Sequence, residues 1–172
     1  NADFSTEYYQ EKSKEIDACY DEIIREMPKN MNEKEAVQYF LNWIKDNVEY
    51  DYSVYESSIE PYYDKLYENE VYADVSNKGC ILDKRGICGG ISIILSELCN
   101  RVGITAYPVF GTIKSDGTLI PHGWVAMRVD DSTYYIDPTY VCQTGEMDNL
   151  KMKNEMERIG DRQYQLEDSF EY

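Results

Sequence analysis

Residues 85–110 read RGICGGISIILSELCNRVGITAYPVF, and three local signals follow one another within them. Gly86, Gly89 and Gly90 crowd around Cys88, where they leave room for a tight turn and for another backbone to come close. Apolar residues then recur at helical spacing: Ile91, Ile94, Leu95, Leu98 and Val102 share one face, and Ile93 and Cys99 widen it. Such a stripe predicts a helix buried on most of its sides, stopped by Gly103. Past that glycine, residues 105–114 turn strand-like. The chain therefore places a cysteine at the start of a buried helix that leads into a sheet.

A thiol so placed is open to activation. Unpaired N–H groups and the dipole at a helix N-terminus favour the thiolate, and the N–H of Cys88 itself can donate to an oxyanion. The bland alternative is a small buried residue, the commoner fate of a free cysteine. The chain holds a single histidine, His122, in the run PHGW at 121–124. Any chemistry that needs an imidazole near neutral pH must use it. A third run, YIDPT at 135–139, supplies Asp137, where a carboxylate can orient the imidazole and stabilise its charged form. Asp-Pro is equally a turn initiator.

The hairpin arithmetic tests that pair. Strands are expected over 124–129 and 133–137, the first beginning at His122 after Pro121, with Asp130-Asp131 as the turn. With a two-residue turn, Val129 pairs with Ser132 and paired numbers sum to 261. Asp137 then lies opposite Trp124, on the face of His122 and diagonal to it. A slip of one residue would separate them.

Further out, residues 5–27 carry Ile16, Cys19, Tyr20, Ile23, Ile24 and Met27 at helical spacing, ended by Pro28. A second helix starts at Asn32, with Glu35 completing a capping box, and Ala36, Val37, Phe40, Leu41, Ile44 and Val48 form its stripe. In residues 49–78, Tyr50, Tyr52, Tyr55, Tyr62, Tyr63, Tyr67 and Tyr72 are scattered among acidic residues around Pro61. They read as a half-buried layer with wet hydroxyls, or else as a cleft wall. The tail from Gln143 is polar. Met147, Leu150 and Ile159 hint at a short helix there, and residues 163–167 at one more strand. Helices first and an antiparallel meander after them make an α+β fold. One domain over 1–172 is expected, with a helical part at about 5–48 and a core at about 79–140.

Composition narrows the function. The 33 acidic and 17 basic residues give a net charge of -16, which argues against binding nucleic acid. No apolar run approaches the roughly 20 residues that span a bilayer, so membrane insertion is not expected. Five cysteines without a CxxC pair, one histidine and no calcium-loop spacing give no basis for a metal or other cofactor. With Cys88 set aside, Cys19, Cys80, Cys99 and Cys142 allow two disulfides or remain thiols. The start at Asn1, without methionine, reads as a processed or recombinant fragment, and with the acidic, tyrosine-rich surface it suits an exported protein.

Residues 85–110 resemble the nucleophile segment of the transglutaminase-like superfamily: a Gly-x-Cys, a buried helix, then a Gly-Ile turn into a strand. His122-Gly123-Trp124 resembles its histidine strand and residues 134–140, YYIDPTY, its aspartate strand. Residues 40–52 resemble the segment before the nucleophile in bacterial members. The resemblance implies Cys88 as nucleophile, His122 as base and acid, and Asp137 as orienting carboxylate, in a papain-like arrangement with the nucleophile helix on an antiparallel sheet. Two features depart from it. Val125 stands where many members have asparagine, and the aromatic that often completes the oxyanion hole is one of Trp43, Tyr50 and Tyr52, with Tyr50 preferred. The implied activity is acyl transfer on peptide or glutamine amides through a Cys88 thioester, with a protein or peptide as substrate. Hydrolysis is slightly favoured over crosslinking, because the compact chain shows no second binding module. The alternatives are a catalytically silent binding module and, less well supported, an arylamine acyltransferase, for which the chain has no basic, glycine-rich stretch.

Overall fold

The helix read from residues 88–102 is the centre of the molecule. The computed structural model describes residues 6–52, 79–115, 117–145, 158–159 and 162–166. Numbered along the chain, this helix is α4 (Cys88–Arg101). Ile91, Ile94, Leu95, Leu98 and Cys99 are fully buried. Ser92 and Ser96 are buried as well, and Ser96 returns its hydroxyl to the Ser92 carbonyl at 2.9 Å. The helix stops where Gly103 takes φ 88°, a left-handed conformation that glycine adopts without a Cβ penalty.

Two helices pack around it. α1 (Thr6–Glu26) buries Ile16, Tyr20 and Ile23. Arg101, at the end of α4, pairs with Asp17 and Asp21 of α1 and lies 4.8 Å from the centre of the Tyr20 ring. α2 (Glu33–Asn47) opens on the expected capping box: Asn32 accepts from the Glu35 N–H at 3.0 Å, and the Glu35 carboxylate accepts from the Asn32 N–H at 2.9 Å. Its stripe of Ala36, Val37, Phe40, Leu41 and Ile44 is buried.

The chain then approaches α4 through two short parallel strands, β1 (Glu49–Tyr50) and β2 (Arg85–Gly86), and a short helix α3 (Gly79–Asp83). Buried Asp51 holds Arg85 Nε at 3.0 Å. Tyr55, Pro61, Tyr62, Tyr63, Tyr67 and Tyr72 lie outside the described residues.

The sheet contains β3 (Ala106–Ser115), β4 (Thr118–Val129), β5 (Ser132–Ile136), β6 (Arg158–Ile159) and β7 (Arg162–Leu166), ordered β5-β4-β3-β7-β6 with every pair antiparallel. The β4–β5 register runs from Val129↔Ser132 to Val125↔Ile136, as the arithmetic required. Asp130 and Asp131 both take positive φ, 48° and 63°, the backbone of a two-residue hairpin turn whose twist suits the strands. Two apolar layers result. The main core lies between the helices and one sheet face, while Ile113, Trp124 and Tyr164 form a smaller cluster.

Three expectations are corrected. β4 begins at Thr118 rather than at His122, so Pro121 lies inside a strand. It is tolerated because β5 reaches only to Val125 along that edge, and the missing N–H breaks no ladder bond there. Ile159 belongs to a strand, not a helix, because residues 158–159 pair with β7; Met147 and Leu150 lie outside the described residues. Asp137-Pro138 starts a further helix, α5 (Pro138–Thr144), rather than only a turn. Proline at the first helical position has no N–H to leave unpaired. All five cysteines carry free thiols. Among the described residues no helix is long and apolar enough to cross a membrane.

Candidate active site

Cys88 is the first residue of α4, and its N-cap, Ile87, offers no side-chain cap. The N–H groups of the first turn therefore point out of the helix without an intrahelical acceptor; the first to find one is Ile91, bonded to the Ile87 carbonyl at 3.0 Å. The thiol sits close enough to the His122 side chain and the Gly123 N–H for both to stabilise its ionised form. His122 stands on β4, buried, with Nε2 2.8 Å from Asp137 Oδ2. That leaves Nδ1 as the ring nitrogen for Cys88. The three residues singled out from the sequence are thus brought together.

Asp137 divides its two oxygens. Oδ1 accepts the N–H groups of Thr139 and Tyr140 at 3.0 and 3.1 Å, which caps α5. Oδ2 faces His122 and also accepts the Tyr164 hydroxyl at 2.7 Å. The cap reading and the orienting geometry coexist, one on each oxygen.

The environment separates Cys88 from the other thiols. Burial opposes its ionisation, but the hydrogen bond and charge of His122, together with the Gly123 N–H, outweigh it and hold the thiol below its ordinary value. For His122, burial opposes the charge, yet the carboxylate of Asp137 and the Cys88 sulfur push the imidazole up to about 9. Both shifts favour a thiolate–imidazolium pair, which titrates as a unit. By contrast, burial alone drives Cys99 up to about 12, and burial with the Glu49 charge drives Cys142 up to about 11.

An aromatic layer supports the pair. Trp124, fully buried, stacks on His122 with ring centres 6.1 Å apart and meets Tyr164 edge-on at 5.2 Å. On the thiol side, Phe110 Cε1 lies 3.0 Å from where a Cβ would start on Gly123, the residue after His122, and 3.8 Å from one on Gly89, the residue after Cys88. Phe110 remains 41% exposed, so it lies at the surface beside the glycines that follow Cys88 and His122. Of the three aromatics considered for the oxyanion side, Tyr50 is the one on β1, opposite Gly86. Tyr52 is exposed and Trp43 packs on the helical core. Val125 faces the main core fully buried, so an apolar residue fits that position.

Sequence reading missed Tyr164, Phe110 and the Gly123 N–H. The strand expected at 163–167 placed Tyr164 on a sheet, but no local signal tied it to a carboxylate 27 residues away. Among the described residues no group of three or more His, Cys, Asp or Glu side chains is placed to hold a metal ion.

A central helix carrying Cys88 at its start, packed on a curled antiparallel sheet that carries His122, is an α+β fold of the transglutaminase-like kind. The sequence profile of the transglutaminase-like domain matches residues 18–159, and the chain belongs to that family. Solved structures agree on the fold. A TGase crystal structure superposes with a TM-score of 0.58 at 20% identity, covering 86% of this chain and 36% of the other. A protein from Cytophaga hutchinsonii, proposed as a cysteine protease, superposes with a TM-score of 0.51 at 19% identity, covering 72% and 37%. This chain thus spans little more than a third of either. No curated protein matches the sequence.

Proposed function

We propose that this protein is a thiol enzyme that transfers acyl groups from peptide or glutamine amides through a thioester on Cys88. The observation that carries the reading is one continuous relay. The thiol at the start of α4 is stabilised as thiolate by His122, whose Nε2 lies 2.8 Å from a buried carboxylate. In this reading the thiolate attacks the amide carbonyl, and the N–H groups at the start of α4 receive the oxyanion. His122 then gives its proton to the departing nitrogen as the C–N bond breaks, leaving a thioester and a free amine or ammonia. In the second half His122 takes a proton from water or from an amine, which attacks the thioester and frees the thiolate. Asp137 keeps the ring oriented and stabilises the imidazolium.

Hydrolysis is placed ahead of crosslinking, because water needs no second protein site beside the thioester. A catalytically silent module that only binds its partner is the rival reading. The test incubates wild type and Cys88→Ala with a glutamine-containing protein, with and without a labelled primary amine. Peptide cleavage, deamidation and amine incorporation are followed by mass spectrometry. Turnover that Cys88→Ala abolishes while circular dichroism stays unchanged is expected; equal activity in the mutant ends the enzyme reading. Unchanged partner binding with no turnover in wild type favours the silent module.

A further inference from the structure

The donors on Asp137 exceed what capping and orienting require. Two backbone N–H groups already pin Oδ1, and Oδ2 faces His122. The Tyr164 hydroxyl adds a further donor, at 2.7 Å, on the oxygen that His122 uses. A buried tyrosine hydroxyl usually finds a partner, although that of Tyr20 has none among the described residues, and a backbone carbonyl would have served Tyr164 as well. Tyr164 arrives on β7, beyond the family match at residues 18–159. The sheet is shaped to receive that strand. Gly111 pairs with His122 on one side and with Leu166 on the other, and a Cβ at Gly111 would overlap the Gln165 carbonyl oxygen.

We infer that Tyr164 is a positioning residue of this site: its hydroxyl holds Oδ2 of Asp137 and takes up part of the negative charge that would otherwise bear on His122 alone. The inference rests on the reading of Cys88, His122 and Asp137 as the reacting group. The titratable groups facing His122 among the described residues are Cys88 from α4, Asp137 before α5 and Tyr164 from β7. With the Tyr164 donor gone, the carboxylate grips the imidazolium more tightly, and the proton leaves more slowly for the departing amine.

Because His122 is the single histidine, histidine labelled with nitrogen-15 gives one imidazole to follow against pH in the full chain. Wild type, Tyr164→Phe and Ile113→Val are compared. Ile113 faces Tyr164 across the β3–β7 pair, so its truncation loosens the same packing without removing the hydroxyl. Wild type is expected to titrate above the ~6.5 of an ordinary histidine. Tyr164→Phe is expected to raise proton affinity further, roughly threefold or more, the scale of one charge-assisted hydrogen bond, while Ile113→Val matches wild type. If wild type is raised but Tyr164→Phe is unchanged or lowered, the tyrosine inference is overturned alone. An ordinary titration in wild type removes the catalytic reading and this inference with it. Should Tyr164→Phe fail to fold, 3-fluorotyrosine at 164, a stronger donor of nearly the same shape, must lower His122 proton affinity. No change there also overturns the inference.

Discussion

At the residue scale, Cys88 and Asp137 owe their properties to a few close neighbours each, and those neighbours set two predictions. The alkylation rate of Cys88 should rise with pH through a midpoint below the ~8.5 of a free thiol, because the imidazolium stabilises the thiolate. Turnover should rise on the same limb and fall as His122 loses its proton near pH 9, since a neutral imidazole has nothing to give the leaving amine. Alkylation should hold its plateau there, and His122→Ala should return the acid midpoint to an ordinary value. A Cys88 that reacts like Cys99 would show that the pair does not form. Asp137→Asn separates the two oxygens' tasks. Asparagine caps a helix about as well as aspartate, so α5 should keep its cap, while His122 and the Tyr164 hydroxyl lose the charged acceptor they share. Turnover should fall steeply, by up to about 10⁴-fold, because the imidazolium loses its charge partner. Wild-type kinetics would remove Asp137 from the relay.

At the element scale, the site stands on contacts between strands far apart in the chain. Gly111 is where β7 presses on β3. Gly111→Ala should displace β7 at a cost of about 1–3 kcal/mol, the usual range for forcing a methyl into a packed site. The change should appear as a lower Tm and as loss of amide protection confined largely to β7. Full protection of β7 in that variant would contradict the close approach. The elements differ in how legible they were. The capping box at Asn32 and Glu35, the apolar stripe of α4 and the stop at Gly103 are signals written within a few residues of one another. The early start of β4 and the helix after Asp137 are not legible locally. Pro121 reads as a strand boundary and Asp-Pro as a turn, whereas an open strand edge and an N-cap followed by proline accommodate the same residues.

For the whole molecule, α1, α2, α4, β3, β4, β5 and α5 all contribute to one apolar cluster, running from Ile16 to Val141. The elements that share this cluster should therefore unfold in one step. Near-ultraviolet and far-ultraviolet circular dichroism should give coincident thermal transitions; two separated transitions would divide the helical part from the sheet. A net charge of -16 repels other acidic surfaces, whereas the proposed chemistry lies at the junction of α4 with the sheet.

Sequence alone carried the α+β order, the buried helix behind Cys88, and the hairpin register that puts Asp137 near His122. Each depends on a period of 3.6 or 2, or on a two-residue turn, so short stretches of chain encode them. The approach of the Cys88 thiol to His122 and the Gly123 N–H, the Phe110 ring against Gly89 and Gly123, and the Tyr164 hydroxyl on Asp137 belong to the tertiary structure. They exist because α4 packs on β3 and β4 and because β7 returns to the open edge of β3. Those pairings are chosen by burial and loop closure over the whole chain, and no local pattern records them.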